Sequence, residues 1–204
     1  MRTFMVVALF FSGIVISQGQ ERINLIKLSP QHFIVSTLKI DWEFSTDQKK
    51  GSWVISPSIT ARDQYKDTLS YGDEVLGFGM AVSRKVYVAG QSSQPLSGFY
   101  GMVSASYNFY KTKYNTYNSY STGPPNYYYY SGAYESKQDI HSGALSFSMG
   151  YQFTIKQLLY LDLFLGGGVR YSHTSTDDDY YSSFADFAYN GIEPKAGVTF
   201  GLKL

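Results

Sequence analysis

The chain has 204 residues, 17 basic against 16 acidic, and no cysteine, which excludes disulfides, a thiolate metal site and the acylated cysteine of a lipoprotein. A formal charge of +1 gives no electrostatic reason to expect nucleic acid as a partner. A mean hydropathy of −0.20, with 20 Tyr, 14 Phe and 19 Gly, is wrong for a helical membrane protein and fits aromatic girdles around tightly packed strands.

Met1-Arg2 is a short basic start, Phe4 to Ile16 is an apolar run, and Ser17-Gln18-Gly19 closes it with small residues. That is the layout of a secretory signal peptide. Residues 1–19 are therefore expected to be cleaved after Gly19, leaving 20–204 as one domain of zero formal charge once Arg2 is gone. No later stretch reaches the ~18 consecutive apolar residues that a membrane helix needs. An exported chain of this kind is either released or built into an outer membrane as a barrel.

Ile23 to Leu28 reads as a short strand of ambiguous phase, closed by Ser29-Pro30. The next strand puts Ile34, Leu38, Ile40, Trp42 and Phe44 on one face and Thr37, Lys39, Asp41 and Glu43 on the other. After the polar turn Ser45–Gly51, Trp53, Ile55, Pro57, Ile59 and Ala61 alternate with Val54, Ser56, Ser58, Thr60 and Arg62. Proline lacks the ladder N–H, so a bulge or distortion is expected at Pro57. A loop from Asp63 to Glu74 precedes Leu76, Phe78, Met80 and Val82, which alternate with Gly77, Gly79, Ala81 and Ser83. The turn Ala89–Pro95 leads to Phe99, Val103, Ala105, Tyr107 and Phe109, set against Met102, Ser104, Ser106 and Asn108.

The longest connection, Lys113 to Gln138, comes next, and after it the clearest pattern of the chain. Leu145, Phe147, Met149, Tyr151, Phe153 and Ile155 alternate with Ala144, Ser146, Ser148, Gly150, Gln152 and Thr154. Past Lys156–Gln157 the alternation resumes, with Leu159, Leu161, Leu163, Leu165, Val169 and Tyr171 against Tyr160, Asp162, Gly166, Gly168, Arg170 and Ser172. A period of two over this length means strand, and the short break means a tight hairpin. A loop from Thr174 to Ala188 precedes the last strand, where Ile192, Ala196, Val198, Phe200, Leu202 and Leu204 oppose Glu193, Lys195, Thr199 and Lys203.

One face of each strand is apolar and the other small or polar. Counting the first short one there are eight strands; the even-to-odd links are short, and three of the four odd-to-even links are long. Outer-membrane barrels have short periplasmic turns, long external loops and both termini inside. The expected fold is all-β: an eight-stranded antiparallel transmembrane β-barrel, apolar side out.

The runs Gly77-Phe78-Gly79-Met80, Pro95-Leu96-Ser97-Gly98-Phe99-Tyr100 and Glu193-Pro194-Lys195-Ala196-Gly197-Val198-Thr199-Phe200-Gly201 resemble small Bacteroidota outer-membrane β-barrel proteins of the OmpA/OmpX-like class. The chain departs from that pattern in ending on Leu204, where such barrels usually end on an aromatic residue that the assembly machinery reads. The resemblance implies a cell outer-membrane location more than an activity.

Inward parity falls on Lys39, Asp41, Glu43, Arg62, Lys85, Asp162, Arg170, Glu193, Lys195 and Lys203. An eight-stranded barrel is about wide enough for side chains to fill, and buried charges must pair. An internal ion-pair network built on Lys39, Asp41, Glu43, Arg62, Asp162, Arg170, Glu193 and Lys195 is therefore expected, with a narrow ion path as the alternative. His173, Ser175 and Asp177–Asp179 could form a Ser–His–acid set at the outer rim, like that of a lipid A deacylase. The three aspartates could also hold calcium. A solvated acidic loop is the preferred account, with neither catalysis nor metal nor cofactor. The Lys113–Gln138 connection contains Tyr114, Tyr117, Tyr120, Tyr127, Tyr128, Tyr129, Tyr130 and Tyr134 among Ser, Asn, Thr and Gly. Such composition suits contact with an extracellular protein or glycan, or a hairpin that carries the strands above the membrane. The expected protein is non-enzymatic and serves envelope structure, adhesion or partner binding. Its expected surroundings are outer-membrane lipid, lipopolysaccharide and the barrel assembly machinery.

Overall fold

The computed structural model describes residues 23–47, 51–62, 74–88, 96–121, 128–175 and 187–204, with the backbone alone at 46–47, 114–121 and 128–136. The expected leader, Tyr127 and Asp177–Asp179 lie outside them. Eight strands are present: β1 Asn24–Leu28, β2 Thr37–Asp47, β3 Gly51–Arg62, β4 Glu74–Tyr87, β5 Gly98–Ser121, β6 Tyr128–Ile155, β7 Leu159–Thr174 and β8 Gly191–Lys203. Each pairs antiparallel with its neighbour in sequence, and β1 pairs with β8, which closes the barrel.

Parity is what the alternating sequence demands. Leu145, Phe147, Met149, Leu163, Leu165 and Val169 lie exposed on the outside, while Ser146, Ser148, Gln152 and Asp162 are buried inside. Aromatic side chains gather outside near the strand ends, where Trp42 meets Phe44, Tyr151 meets Phe153 and Phe78 meets Phe109 at ring separations of 5.7, 4.5 and 5.5 Å. The small residues on the inner face are sterically required at some places. A Cβ at Gly168 would sit 2.7 Å from Ser146 Cβ across the β6–β7 ladder.

The two ends of the barrel differ. At the turn side lie the start of β1, the end of β8 and the links β2–β3, β4–β5 and β6–β7; the other four links lie at the loop side. The β6–β7 hairpin turns through Lys156 and Gln157, both with positive φ (52° and 61°), and Ile155 and Leu159 pair directly across it.

Three expectations change. Ile34 is not in β2: Pro30–Val35 forms a 3-10 helix, and Ser36 ends it at φ 55° before the strand begins. Pro fits the start of a helix because its missing N–H has no partner to lose there. The chain leaves the wall after Leu28, and this helix packs against β2 and β8 in its place. At Pro57 the expected distortion takes the form of a gap in the ladder and not a bulge. The β2–β3 ladder skips that position and resumes in the same register, from Lys39–Ser58 to Trp42–Ile55, and the shift lies instead between Ser45 and Asp47.

The Lys113–Gln138 connection is mostly strand. β5 and β6 stay paired from Lys113–Lys137 to Ser121–Tyr128, with one shift between Tyr117 and Ser119. Their neighbours stop earlier, β4 at Glu74 opposite Lys113 and β7 at Thr174 opposite Ile140. Past those points β5 and β6 form a two-stranded arm reaching roughly 25 Å beyond the wall at ~3.3 Å per residue. Of the eight tyrosines, Tyr114, Tyr117 and Tyr120 lie on β5 and Tyr128, Tyr129, Tyr130 and Tyr134 on β6.

Candidate functional site in the barrel lumen

The inward charges divide into two levels. At the turn side, Lys27 from β1, Glu43 from β2, Lys85 from β4 and Asp162 from β7 converge on the barrel axis. None is more than 3% exposed. Lys27 pairs with Glu43 and, at 3.2 Å, with Asp162. Lys85 Nζ lies 3.4 Å from Glu43 and 2.5 Å from Asp162, and 4.2 Å above the centre of the Tyr100 ring.

Neutral groups complete the shell. Tyr87 donates to Glu43 Oε1 (2.8 Å) and Tyr100 to Asp162 Oδ1 (2.5 Å), while Ser52 also donates to Glu43. Gln152 Oε1 accepts from Lys27 (2.6 Å) and Lys85 (3.0 Å), and its Nε2 donates to Leu96 O (2.7 Å). Ile23, Leu25, Tyr87, Leu96, Tyr100 and Tyr160 pack around this group as an apolar stopper. Two cations and two carboxylates cancel, and each keeps several hydrogen bonds, which is the condition for charge to persist at such depth.

The loop-side group is more open. Glu193 is shared between Arg170 and, at 2.9 Å, Lys195, whose Nζ also donates to Ser146 Oγ (3.1 Å). Lys39 lies 3.6 Å from Asp41, and Ser29 donates to Asp41 Oδ2 at 3.1 Å. From the stopper up through the loop-side group the lumen keeps a cavity of about 390 Å³. The expectation of a lumen filled throughout is thus corrected: only the turn-side half is filled. Across the loop-side half the facing positions are Ser56, Ser58, Ala81, Ser104, Ser106 and Ala144, which are too short to meet at the axis.

Of the expected network, Lys39, Asp41, Glu43, Asp162, Arg170, Glu193 and Lys195 all reach the lumen. Arg62 does not join the Glu43 group, because it stands opposite Val75 at the far end of β3 from Ser52. Lys203, expected inward, is exposed at the end of β8. Lys27 was missed because five residues of β1 carry too little alternation to fix a phase. Its partner Glu43 was the available signal, since a buried carboxylate beside one visible lysine leaves room for a second.

At the loop-side rim His173 stands opposite His141, whose Nδ1 is 2.7 Å from the Tyr107 hydroxyl. Ser175 is tied to β6 instead: its N–H donates to Asp139 O, and its Oγ accepts from Asp139 N–H, both at 3.0 Å. That hydroxyl serves as a strand-end cap. Among the described residues, no group of three or more His, Asp or Glu side chains is arranged to hold a metal ion.

Compared with protein-family models, with curated proteins and with solved structures, the chain matches none.

Proposed function

We propose that this chain is a non-enzymatic outer-membrane β-barrel, plugged at its periplasmic end, whose working surface is the β5–β6 arm. One observation carries this. The wall turns its aliphatic and aromatic side chains outward around the barrel and its serines and charges inward, the inverse of a soluble core. A closed barrel also leaves no unpaired sheet edge to lipid. The arm's Tyr, Ser, Asn and Gly composition suits an extracellular protein or glycan ligand. Lipid and lipopolysaccharide would surround the wall, with the barrel assembly machinery as the folding partner. The ion-paired stopper argues against steady conductance.

Cell fractionation tests the location. The protein is expected in the outer-membrane fraction, and its apparent mass should shift on heating in detergent. A monomer that stays soluble without detergent would overturn the proposal.

A further inference from the structure

The loop-side half of the lumen has three properties that bear on what it can hold. It has space, about 390 Å³, within the ~300–1,000 Å³ range of small-molecule sites. It also carries an unequal charge count. Beyond the balanced stopper, the described residues lining the cavity contribute Lys39, Arg170 and Lys195 against Asp41 and Glu193, with His neutral in the formal count. The imbalance is local, since Glu193 is a single carboxylate serving both Arg170 and Lys195. Lastly, both ends of the buried Gln31 amide there lack hydrogen-bond partners. Leaving such groups without partners costs about 1–3 kcal/mol each, so a lumen selected only for rigidity would have closed over them.

The walls differ in character. Arg170, Glu193, Lys195, Gln31, Lys39 and Asp41 come from β7, β8, the 3-10 helix and β2, which are contiguous around the barrel. The opposing wall offers Val54, Met102 and the ring of Tyr110, and Tyr110 packs against Phe187 at 4.5 Å between centroids. A ligand matched to both walls has one negative charge at one end and an apolar, ring-sized body at the other.

We infer that the loop-side lumen is a binding site for a small monocarboxylate with an apolar or aromatic body. Its carboxylate is received between Lys195 and Arg170, and the Gln31 amide donates to it. Glu193 holds the two cations in place, since without it their mutual repulsion would splay the site. A dianion would exceed the surplus charge counted over the described lining residues, and a cation would meet Arg170 and Lys195, between which Glu193 is already shared. This site is additional to the arm surface and does not depend on it.

The test uses the full mature chain in phosphatidylcholine nanodiscs with three isosteric probes followed by fluorine NMR. These are 4-fluorobenzoate, neutral 4-fluorobenzamide and cationic 4-fluorobenzylamine. Saturable binding is expected for the benzoate, at least tenfold tighter than for the amide, with none for the amine. Lys195→Met should weaken benzoate binding by at least tenfold, whereas Lys113→Met, at the rim and paired with Glu74, should leave it unchanged. The three-probe comparison needs no variant, so misfolding of Lys195→Met would not shield the inference. No saturable binding would mean that the lumen holds water alone. That outcome overturns the inference, as does equal binding of amide and benzoate, or benzoate binding indifferent to Lys195→Met in a barrel that still shows its heat shift.

Discussion

At the scale of single residues, the barrel sets opposite rules for its two surfaces. Leu163 faces out and Asp162, its neighbour in sequence, is buried at the axis. Leu163→Arg should cost about 2–4 kcal/mol if the site is near the bilayer midplane, read from urea-dependent refolding into lipid vesicles. A cost no greater than that of a loop substitution would place the residue away from lipid. Inside, Glu43 is contacted by Lys27 and Lys85, so Glu43→Gln strands two buried ammonium groups on one remaining carboxylate. A loss of about 3–5 kcal/mol is expected in the same assay. The double change Lys27→Met with Glu43→Leu should cost less than the single one, because charge balance returns.

At the scale of elements, the β6–β7 turn is the place where local sequence and local geometry disagree. Lys156 and Gln157 both occupy the left-handed region, which L residues with a Cβ enter at a cost of roughly 1–2 kcal/mol each. Replacing the pair with Asn-Gly should stabilise the barrel by about 1 kcal/mol. The check is a higher urea midpoint with unchanged slope. Two-residue periodicity made β3 to β8 legible because each is long enough to show both faces. It could not show that β5 and β6 outrun their neighbours, since tyrosine and serine at every second or third position read equally as loop or ribbon. Nor could it place the 3-10 helix, whose Phe33, Ile34 and Val35 look like a strand entry until the backbone turns. Within the site, Lys39, Asp41, Glu193 and Lys195 followed from parity. The open half of the lumen did not, because alternation says which residues point inward but not whether they span the gap.

At the scale of the whole molecule, stability and exposed surface are separable. The arm beyond Lys113 and Ile140 touches no neighbouring strand through the ladder, so deleting Tyr117 to Tyr134 should leave the heat shift intact. Binding of surface ligand should be lost with it; a barrel that fails to fold after the deletion would show that the arm belongs to the wall. The seam leads to a statement about time. The wall is closed by four residue pairs between β1 and β8, from Leu25–Lys203 to Leu28–Phe200, the most distant partners in the chain. Whatever the order in which the strands assemble, a sheet that has not yet closed this seam has two raw edges, and either would pair with any strand it met. The ring must be held away from its siblings until β1 and β8 find each other.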